Sequence, residues 1–324
     1  MPHTMDPRPL LARSMPDPSR KWDVVGVGAN SVDYVYRLPA SPRADSPTAK
    51  LRITSHRVLC GGQMATALSG CAALGLRAAY VGAVGSDDNG RRIERELAGR
   101  GIDLSHLVTR EGTNQFAVIT VEVTTGERIV LWDRDERLML QPADLPPALI
   151  ASARLVHVDD VDEAAAIRAA TLAREAGVAV TSDLDRITER TPELVAAVSI
   201  PIFAEHVLPA ITGEADCERA LVKLRRTHAG LLCVTLGPRG AMLMKGDEVC
   251  FEPGFRVTAV DTTGAGDVFR AAFIHALLNS AEPRAMLRFA NAAAALSCTR
   301  EGALDSVPTL AEVNRFMAEA PTLR

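Results

Sequence analysis

Runs of apolar residues alternate with segments of helical spacing along most of the chain. The apolar runs are of strand length, and the segments between them repeat their apolar residues with the period of an α-helix. The predicted strands are Asp23–Val27, Ala79–Val84, Leu155–Val158, Val178–Ser182 and Leu231–Leu236. The predicted helices are Ala65–Leu74, Gly90–Ala98, Ala164–Glu175, Asp216–His228, Ala265–Leu277 and Ala285–Ser297. This alternation predicts an α/β fold with a doubly wound, mainly parallel sheet flanked by helices.

Two regions interrupt this alternation. Tyr34–Leu38 and Leu51–Leu59 flank a proline-rich loop, and Phe116–Val123 and Arg128–Trp132 flank Thr124–Glu127, which is typical of a hairpin turn. We predict that these segments, about residues 34–59 and 115–132, form a small antiparallel sheet projecting from the α/β body. The alternative is that they extend the main sheet. A projecting sheet can close over a substrate as a lid and exclude water.

Composition narrows the class of protein. The 324 residues fit one large domain over residues 21–320 with a small insertion. Apolar residues make up 47% and the net charge is −4, which gives no sign of a nucleic-acid or membrane surface. Residues 1–20 are rich in proline and arginine and lack the apolar core of a signal peptide, so we predict a disordered tail; the alternative is a start codon set too early. The six cysteines show no C-x-x-C spacing, which indicates reduced thiols in a cytoplasmic protein.

The stretch Asp261–Phe269 carries the clearest candidate chemistry. Gly264, Ala265 and Gly266 directly precede a segment of helical spacing, so we expect them at a helix N-terminus. Free N–H groups and the positive end of the helix dipole meet there, which favours bound phosphate. A carboxylate beside that phosphate, Asp267, is suited to accept the proton of an attacking hydroxyl. The pattern indicates phosphoryl transfer to an alcohol; the alternative is a helix start that Asp267 merely caps.

The nine residues Asp-Thr-Thr-Gly-Ala-Gly-Asp-Val-Phe resemble the C-terminal signature of the ribokinase-like (PfkB) carbohydrate kinases. The resemblance implies that Asp267 is the catalytic base and that the amides of Gly264, Ala265 and Gly266 form the anion hole. It also implies a ribokinase-like fold with a small β lid, and ATP and Mg²⁺ as cofactors. The chain departs from the family where Arg270-Ala271 follows Phe269, since a glycine is usual there. A P-loop kinase is excluded because no G-x-x-x-x-G-K-[ST] occurs.

Several residues of the N-terminal part are predicted to bind the sugar. Val24–Asp33 lacks the third glycine of a dinucleotide fingerprint, so a Rossmann site is not indicated. Asp33, where the first strand meets the lid, can accept two hydrogen bonds from vicinal hydroxyls. Gly61 and Gly62 permit close approach of the backbone to a ligand and resemble the family's N-terminal signature. Thr66 replaces the family's usual asparagine, which leaves a shorter contact with one hydroxyl.

The resemblance also implies a nucleotide site and a cation site in the C-terminal half. Residues 234–241 read as a strand running into a glycine-rich turn, the usual place for a nucleotide in such a sheet. The residues implied for the nucleotide are Thr235, Gly237, Gly240 and Asn291, the last of them beside the adenine. Those implied for a monovalent cation such as K⁺ are Asp261, Thr263, Arg300, Gly302 and Ser306. The family's magnesium motif Asn-x-x-Glu is absent, and Glu205 is a neighbour able to act through water.

The substrate is predicted less sharply than the reaction. Thr66, Ser182–Asp185 and the missing Asn-x-x-Glu are similar to ketose-directed members of the family, bacterial sulfofructose kinases among them. Arg134 or Arg137, after a lid strand, is a candidate partner for an anionic group. Alternatives are a ribokinase, an adenosine-type nucleoside kinase, or a non-catalytic protein that senses sugar or nucleotide. We predict a homodimer paired through the lid, because exposed lid strands offer unpaired edges.

Overall fold

The computed structural model describes residues 17–45, 50–125 and 127–319. Of the tail predicted over residues 1–20, residues 1–16 lie outside this described part, and so does residue 320 at the end of the predicted domain. Within the described ranges, no helix combines the length and apolarity that a membrane crossing requires.

Within the described ranges, thirteen strands form two separate sheets. The strands are β1 Trp22–Val27, β2 Ser31–Leu38, β3 Ser55–Gly61, β4 Ala78–Gly85, β5 Asp103–Arg110, β6 Phe116–Glu122, β7 Arg128–Asp133, β8 Ala153–Val158, β9 Ala179–Leu184, β10 Ile200–Ala204, β11 Leu232–Thr235, β12 Gly240–Lys245 and β13 Glu248–Pro253. The large sheet has nine strands in the order β13-β12-β11-β10-β9-β8-β1-β4-β5. Its strands from β11 to β5 are parallel, and an antiparallel hairpin, β12–β13, completes one edge.

Helices cover both faces of the large sheet. They are α1 Gln63–Ala73, α2 Asp88–Gly99, α3 Pro147–Ala151, α4 Glu163–Glu175, α5 Thr191–Ala197, α6 Val207–Thr212, α7 Cys217–Arg225, α8 Ala265–Leu278, α9 Pro283–Ser297 and α10 Leu310–Glu319. One apolar core lies under α3 to α7, and two further cores lie under α1, α2 and α8 to α10. The chain winds outward in both directions from β1, so the predicted doubly wound α/β architecture is confirmed.

The four interrupting segments form the second sheet, in the order β3-β2-β6-β7. This small sheet stands apart from the large one, as predicted, and does not extend it. The outer pairs β2–β3 and β6–β7 are antiparallel, whereas the central strands β2 and β6 run parallel. Asp33 lies on a central strand, opposite Leu59 on one side and Ala117 on the other.

In the large sheet, the edge formed by the amino ends of the strands differs from the edge formed by their carboxyl ends. At the amino ends of the strands, the Asp23 carboxylate accepts from Arg77 at 2.9 Å and from Arg154 at 2.9 Å. Burial alone would raise the pKa of Asp23, but these hydrogen bonds outweigh it and lower that pKa well below the usual range. The carboxyl ends of β1, β9 and β11 all lie together at the opposite edge of the sheet, the side where ligands bind in folds of this kind. Candidate chemistry therefore gathers at that edge.

Candidate active site

The N-terminus of α8 lies at the carboxyl edge and begins at Gly264. Gly264 has a left-handed φ of +78° and provides no side-chain cap. A Cβ on it would come within 2.9 Å of the Ala303 Cβ and 3.1 Å of the Thr66 Cγ2, so only glycine fits. In the described part of the chain, the amides of Gly264 and Gly266 donate no hydrogen bond, and that of Ala265 reaches the Thr262 carbonyl only at 3.3 Å. The turn thus presents free donors, as an anion hole requires.

Asp267 lies on the first turn of α8, directly after these amides, and is half-buried. Its carboxyl lies within hydrogen-bonding reach of the Asp183 carboxyl at the end of β9. Burial raises the pKa of Asp267 well above its ordinary value, the Asp183 carboxylate adds to this rise, and the Arg270 guanidinium opposes it. A carboxyl in such an environment is a suitable proton acceptor for an alcohol.

Asp183 and Arg270 form a buried ion pair behind Asp267. The Arg270 Nη2 atom lies 2.6 Å from the Asp183 Oδ1 atom, and the two side chains are only 4% and 3% exposed. Burial raises the pKa of Asp183, whereas the charge of Arg270 opposes that rise. Sequence reasoning missed this pair, although the departure Arg270-Ala271 from the family's signature was a signal that could have located it.

A cleft of about 410 Å³ separates the small sheet from the loop that leads into α8. Asp33, Leu59 and Ile119 line it from the small sheet, and residues 259–263, Gly302 and Ala303 line it from the opposite side. Burial raises the pKa of Asp33 and Asp261 adds to the rise, while the Ser31 hydroxyl donates a hydrogen bond to Asp33 at 3.0 Å and opposes it. Asp267 is not among the lining residues. It follows the lining residue Thr263 along the chain and lies on the first turn of α8.

Other predicted sugar contacts lie next to this cleft, at the start of α1. A Cβ on Gly61 would come within 2.8 Å of the Asp33 Oδ2 atom, and one on Gly62, with φ of +96°, would meet the Asn30 backbone at 2.5 Å. Thr66 is fully buried, and its hydroxyl has no hydrogen-bond partner among the described residues. Because Thr66 contacts Gly264, these sugar-side residues adjoin the anion-hole turn.

Arg134 is placed differently from the other predicted substrate residues. Its Nη2 atom lies 2.6 Å from the Asp162 Oδ2 atom, and its side chain is mostly buried. It lines a separate, water-sized cavity of about 10 Å³ together with Asn30, Gln115 and Asp162. The structure therefore does not bring Arg134 into the cleft with Asp33.

The predicted nucleotide residues lie around the carboxyl end of β11. The Thr235 hydroxyl donates to the Phe203 carbonyl at 3.3 Å. Gly237 and Gly240 have left-handed φ angles of +57° and +112°, and a Cβ on Gly240 would meet the Glu252 carbonyl at 2.2 Å. The Asn291 amide donates to the Glu252 and Pro253 carbonyls at 2.9 and 3.2 Å, so its Oδ1 atom is the one left for a ligand. The glycine turn leaves backbone exposed at the place where a nucleotide fits this fold.

Asp261 fastens the loop before α8 to the loop after α9. Its Oδ1 accepts from the Thr263 N–H at 2.9 Å and its Oδ2 from the Gly302 N–H at 3.0 Å. Burial raises the pKa of Asp261, but these hydrogen bonds outweigh it and the net shift is downward. Two residues predicted with it use their side chains elsewhere, since Arg300 pairs with Glu312 at 2.6 Å and the Ser306 hydroxyl donates to the Ala303 carbonyl. Their predicted part in the cation site concerns mainly backbone oxygens.

Side chains of the described residues do not by themselves assemble a metal centre. The described ranges contain no cluster of three His, Cys, Asp or Glu residues able to hold an ion. Glu205, the neighbour of the missing magnesium motif, forms an ion pair with Arg239. Phosphate and water oxygens would have to supply most ligands of a bound Mg²⁺, which suits that ion.

Comparisons with known proteins agree with this geometry. ATP-dependent ribose-1-phosphate kinase of Halopiger xanaduensis is 32% identical to this chain, over 91% of the chain and 98% of the relative. Fructokinase-1 of Oryza sativa subsp. japonica is 29% identical, with coverages of 92% and 98%. Arabidopsis thaliana ribokinase, solved in complex with ribose and ATP, superposes with a TM-score of 0.80 at 24% identity, with coverages of 91% and 98%. The model of the pfkB family carbohydrate kinases matches residues 25–310, and the chain belongs to that family.

Proposed function

We propose that this pfkB family kinase transfers the γ-phosphoryl group of ATP to a hydroxyl, most simply a primary one, of a ketose or modified sugar, with Asp267 as the general base. The observation that carries the proposal is the first turn of α8. It combines free amides at Gly264 and Gly266 with an adjacent carboxyl whose pKa burial raises. Donors for a phosphoryl group and an acceptor for a hydroxyl proton thus lie on one helical turn.

The chain's own residues divide the reaction between two walls of the site. Asp33, Gly61 and Gly62 are proposed to bind the sugar, with its primary hydroxyl directed toward Asp267. As this oxygen bonds to the γ-phosphorus, the phosphorus–oxygen bond to ADP breaks and Asp267 takes the hydroxyl proton. The amides of the anion-hole turn stabilise the charge on the transferred group. The small sheet is proposed to act as a lid that keeps water, a competing acceptor, out of the cleft.

The residues that bind the nucleotide and its ions are proposed from the chemistry of their side chains and backbone. ATP is proposed to bind to Thr235, Gly237, Gly240 and the side-chain Oδ1 atom of Asn291. When bound, Mg²⁺ supplies neutralisation of the phosphate charge. The Asp261 loop, with Thr263, Gly302 and neighbouring carbonyl oxygens, is a proposed K⁺ site, because such oxygen ligands suit a hard cation. An ion there would order the loop that carries the anion hole.

The acceptor is proposed to be a ketose, and a sulfonated ketose is the finer form of this proposal. Support comes from Thr66, which is shorter than the family's usual asparagine, and from the relatives named for fructose, a ketose. The relative named for ribose 1-phosphate, an aldose phosphate, favours the alternative acceptor. A panel of fructose, sulfofructose, ribose, ribose 1-phosphate and adenosine in an ATP-to-ADP coupled assay tests it. If ribose or adenosine gives the highest kcat/KM, the proposal that the acceptor is a ketose is wrong. If every acceptor binds without turnover, the protein is a sensor and not a kinase.

Asp267→Asn tests the catalytic assignment. We expect the variant to fold and bind nucleotide but to lose about 10²- to 10⁴-fold in kcat, because a positioned general base contributes about that much. Asp88→Asn is the matched control, since Asp88 also lies on the first turn of a helix but is 98% exposed. Near wild-type kcat in Asp267→Asn would refute the role of Asp267.

Pairing and compartment complete the proposal. The exposed edge of the small sheet is proposed to pair two subunits into a homodimer. All six cysteines are free thiols, which fits a reducing cytoplasm where ATP is available.

A further inference from the structure

Arg270 is an unusual residue to find beneath an anion hole. It lies on α8 one turn after Gly266, and helical side chains point back toward the N-terminus of their helix. Its guanidinium accordingly reaches the first turn, where the Nη1 atom lies 2.8 Å from the position a Cβ on Gly266 would occupy. The residue is only 3% exposed. A buried arginine requires a compensating charge, since an isolated buried charge is very costly.

That compensation comes from one carboxylate. The Nη2 atom forms the 2.6 Å ion pair with Asp183 and a long hydrogen bond of 3.4 Å to the Ile202 carbonyl. The Nε atom is buried without a hydrogen-bond partner in the described part of the chain. An apolar side chain would satisfy this position in a plain core helix, so the arginine has a cost that packing does not explain.

The surroundings of Arg270 are acidic. The ionisable groups that face it or Asp267 come from β8, β9, β11 and α8. They are His157, Asp159, Asp160, Asp183, Asp185, Cys233 and Asp267. Burial together with Arg270 lowers the pKa of His157 to about 3, and burial raises the pKa of Cys233 to about 12. Both are therefore neutral at pH 7, and Arg270 is the cation of this group of carboxyls.

We infer that Arg270 is a positioning residue for the general base: it holds Asp183 against Asp267 and its charge leaves Asp267 free to accept a proton at neutral pH. The inference rests on the function proposed above for Asp267. Two buried carboxyls in contact tend to share one proton, because both cannot readily be ionised together. Without the guanidinium that proton would stay on the pair, and Asp267 would enter the reaction already protonated.

Substitutions of the two partners of the ion pair should shift the acid limb of the pH profile in opposite directions. Removal of the positive charge in Arg270→Met should move the acid limb of kcat/KM upward by about one to three pH units, the usual effect of a neighbouring charge. Removal of the negative charge in Asp183→Asn should move it downward. Arg270→Lys restores the charge without the planar guanidinium and should return the limb toward the wild-type position. A purely structural pair would lower activity at every pH without moving the limb.

The same carboxyls can be titrated without any turnover. In ¹³C NMR of protein labelled at the aspartate carboxyls, the Asp267 resonance is assigned by its absence from Asp267→Asn. We expect its midpoint to rise in Arg270→Met and fall in Asp183→Asn, by the same one to three units. This readout separates the two proposals, since a wild-type protein inactive on every acceptor would sink the kinase assignment while the midpoints still report on Arg270.

Arg154→Met provides the control, because Arg154 is another largely buried arginine paired with an aspartate, Asp23, at the opposite edge of the sheet. It should lose stability but keep the wild-type acid limb and Asp267 midpoint. Should Arg270→Met fail to fold, Asp183→Asn and Arg270→Lys carry the test. An unchanged or upward-shifted Asp267 midpoint in Asp183→Asn, or a midpoint in Arg270→Lys far from the wild-type value, would overturn the inference.

Discussion

At the scale of single residues, Thr66 holds a hydroxyl that the fold has buried without a hydrogen bond among the described residues. An unsatisfied buried polar group costs about 1–3 kcal/mol. This cost is borne next to the turn at Gly264, because a Cβ on Gly264 would lie 3.1 Å from the Thr66 Cγ2 methyl. The proposed contact of Thr66 with the sugar predicts that a bound acceptor supplies the missing partner.

Thr66→Val removes the hydroxyl and keeps the shape. We expect Tm to stay level or rise, because the unsatisfied group is gone, and KM for the acceptor to rise about two- to ten-fold, the worth of one net hydrogen bond. Thermal unfolding and initial-rate kinetics give the two numbers. Thr171→Val is the control: its hydroxyl donates to the Ile167 carbonyl at 2.9 Å on α4, so it should lower Tm and leave KM alone. An unaltered acceptor KM in Thr66→Val would remove Thr66 from the sugar site.

The sequence predicts those site residues that are consecutive along the chain. The anion-hole turn, its helix and Asp267 follow one another within a few residues, so helical spacing and glycine placement suffice to assign them. The Asp183–Arg270 pair is different, because it joins β9 to α8 across space and no pattern along the chain links Ser182–Asp185 to the residues after Phe269. Arg134 is assigned from its position after a lid strand, yet an aspartate unseen in that pattern, Asp162, is its partner in the structure.

At the scale of elements, the N-terminus of α8 depends on a glycine that has no room for a side chain. Gly264 combines a left-handed φ with close neighbours from α1 and from the loop after α9. The start of α8, α1 and the loop after α9 therefore meet at one Cα atom.

Gly264→Ala should damage function beyond its cost to stability. Alanine in the left-handed region costs roughly 1–2 kcal/mol, and the added clash should displace the amides and lower kcat by about 10²-fold. Gly101→Ala is matched in conformation, with φ of +75°, but a Cβ there meets nothing within 4 Å. We expect comparable losses of Tm in both variants and a loss of kcat only in Gly264→Ala. Equal kcat values would mean that the amides of this turn do not bind the phosphoryl group.

The sequence predicts those strands and helices whose apolar residues recur with one clear period. The buried parallel strands β1, β4, β8, β9 and β11 are found near their predicted bounds. β10 is missed because Pro201 interrupts a short apolar run, and β5 because polar residues are mixed through an edge strand. The parallel pairing of β2 with β6 is also missed, since single-chain periodicity contains no information on which distant strands become neighbours.

At the scale of the whole molecule, the small sheet leaves an apolar edge in solvent. Ile129, Val130, Leu131 and Trp132 on β7 are 46–65% exposed, and β7 has a partner on one side only. Unprotected edge strands of this kind favour pairing with another chain.

Leu131→Lys should therefore shift a dimer toward monomer, since a charge on the strand opposes edge pairing. Sedimentation velocity over a range of protein concentrations measures the shift. Val222→Lys is the control, because Val222 on α7 is similarly exposed, at 46%, but lies on a helix. A wild-type protein that sediments as a monomer at micromolar concentration would contradict the proposed homodimer.

The two walls of the cleft come from opposite ends of the polypeptide. All four strands of the small sheet precede residue 134, whereas the facing loop at 259–263 and the residues Gly302 and Ala303 come near the end. During synthesis the residues of the small sheet thus leave the ribosome long before those of the facing loop. A chain truncated before residue 259 lacks one wall of the cleft, and the complete cleft can form only when the last fifth of the polypeptide has docked against the first.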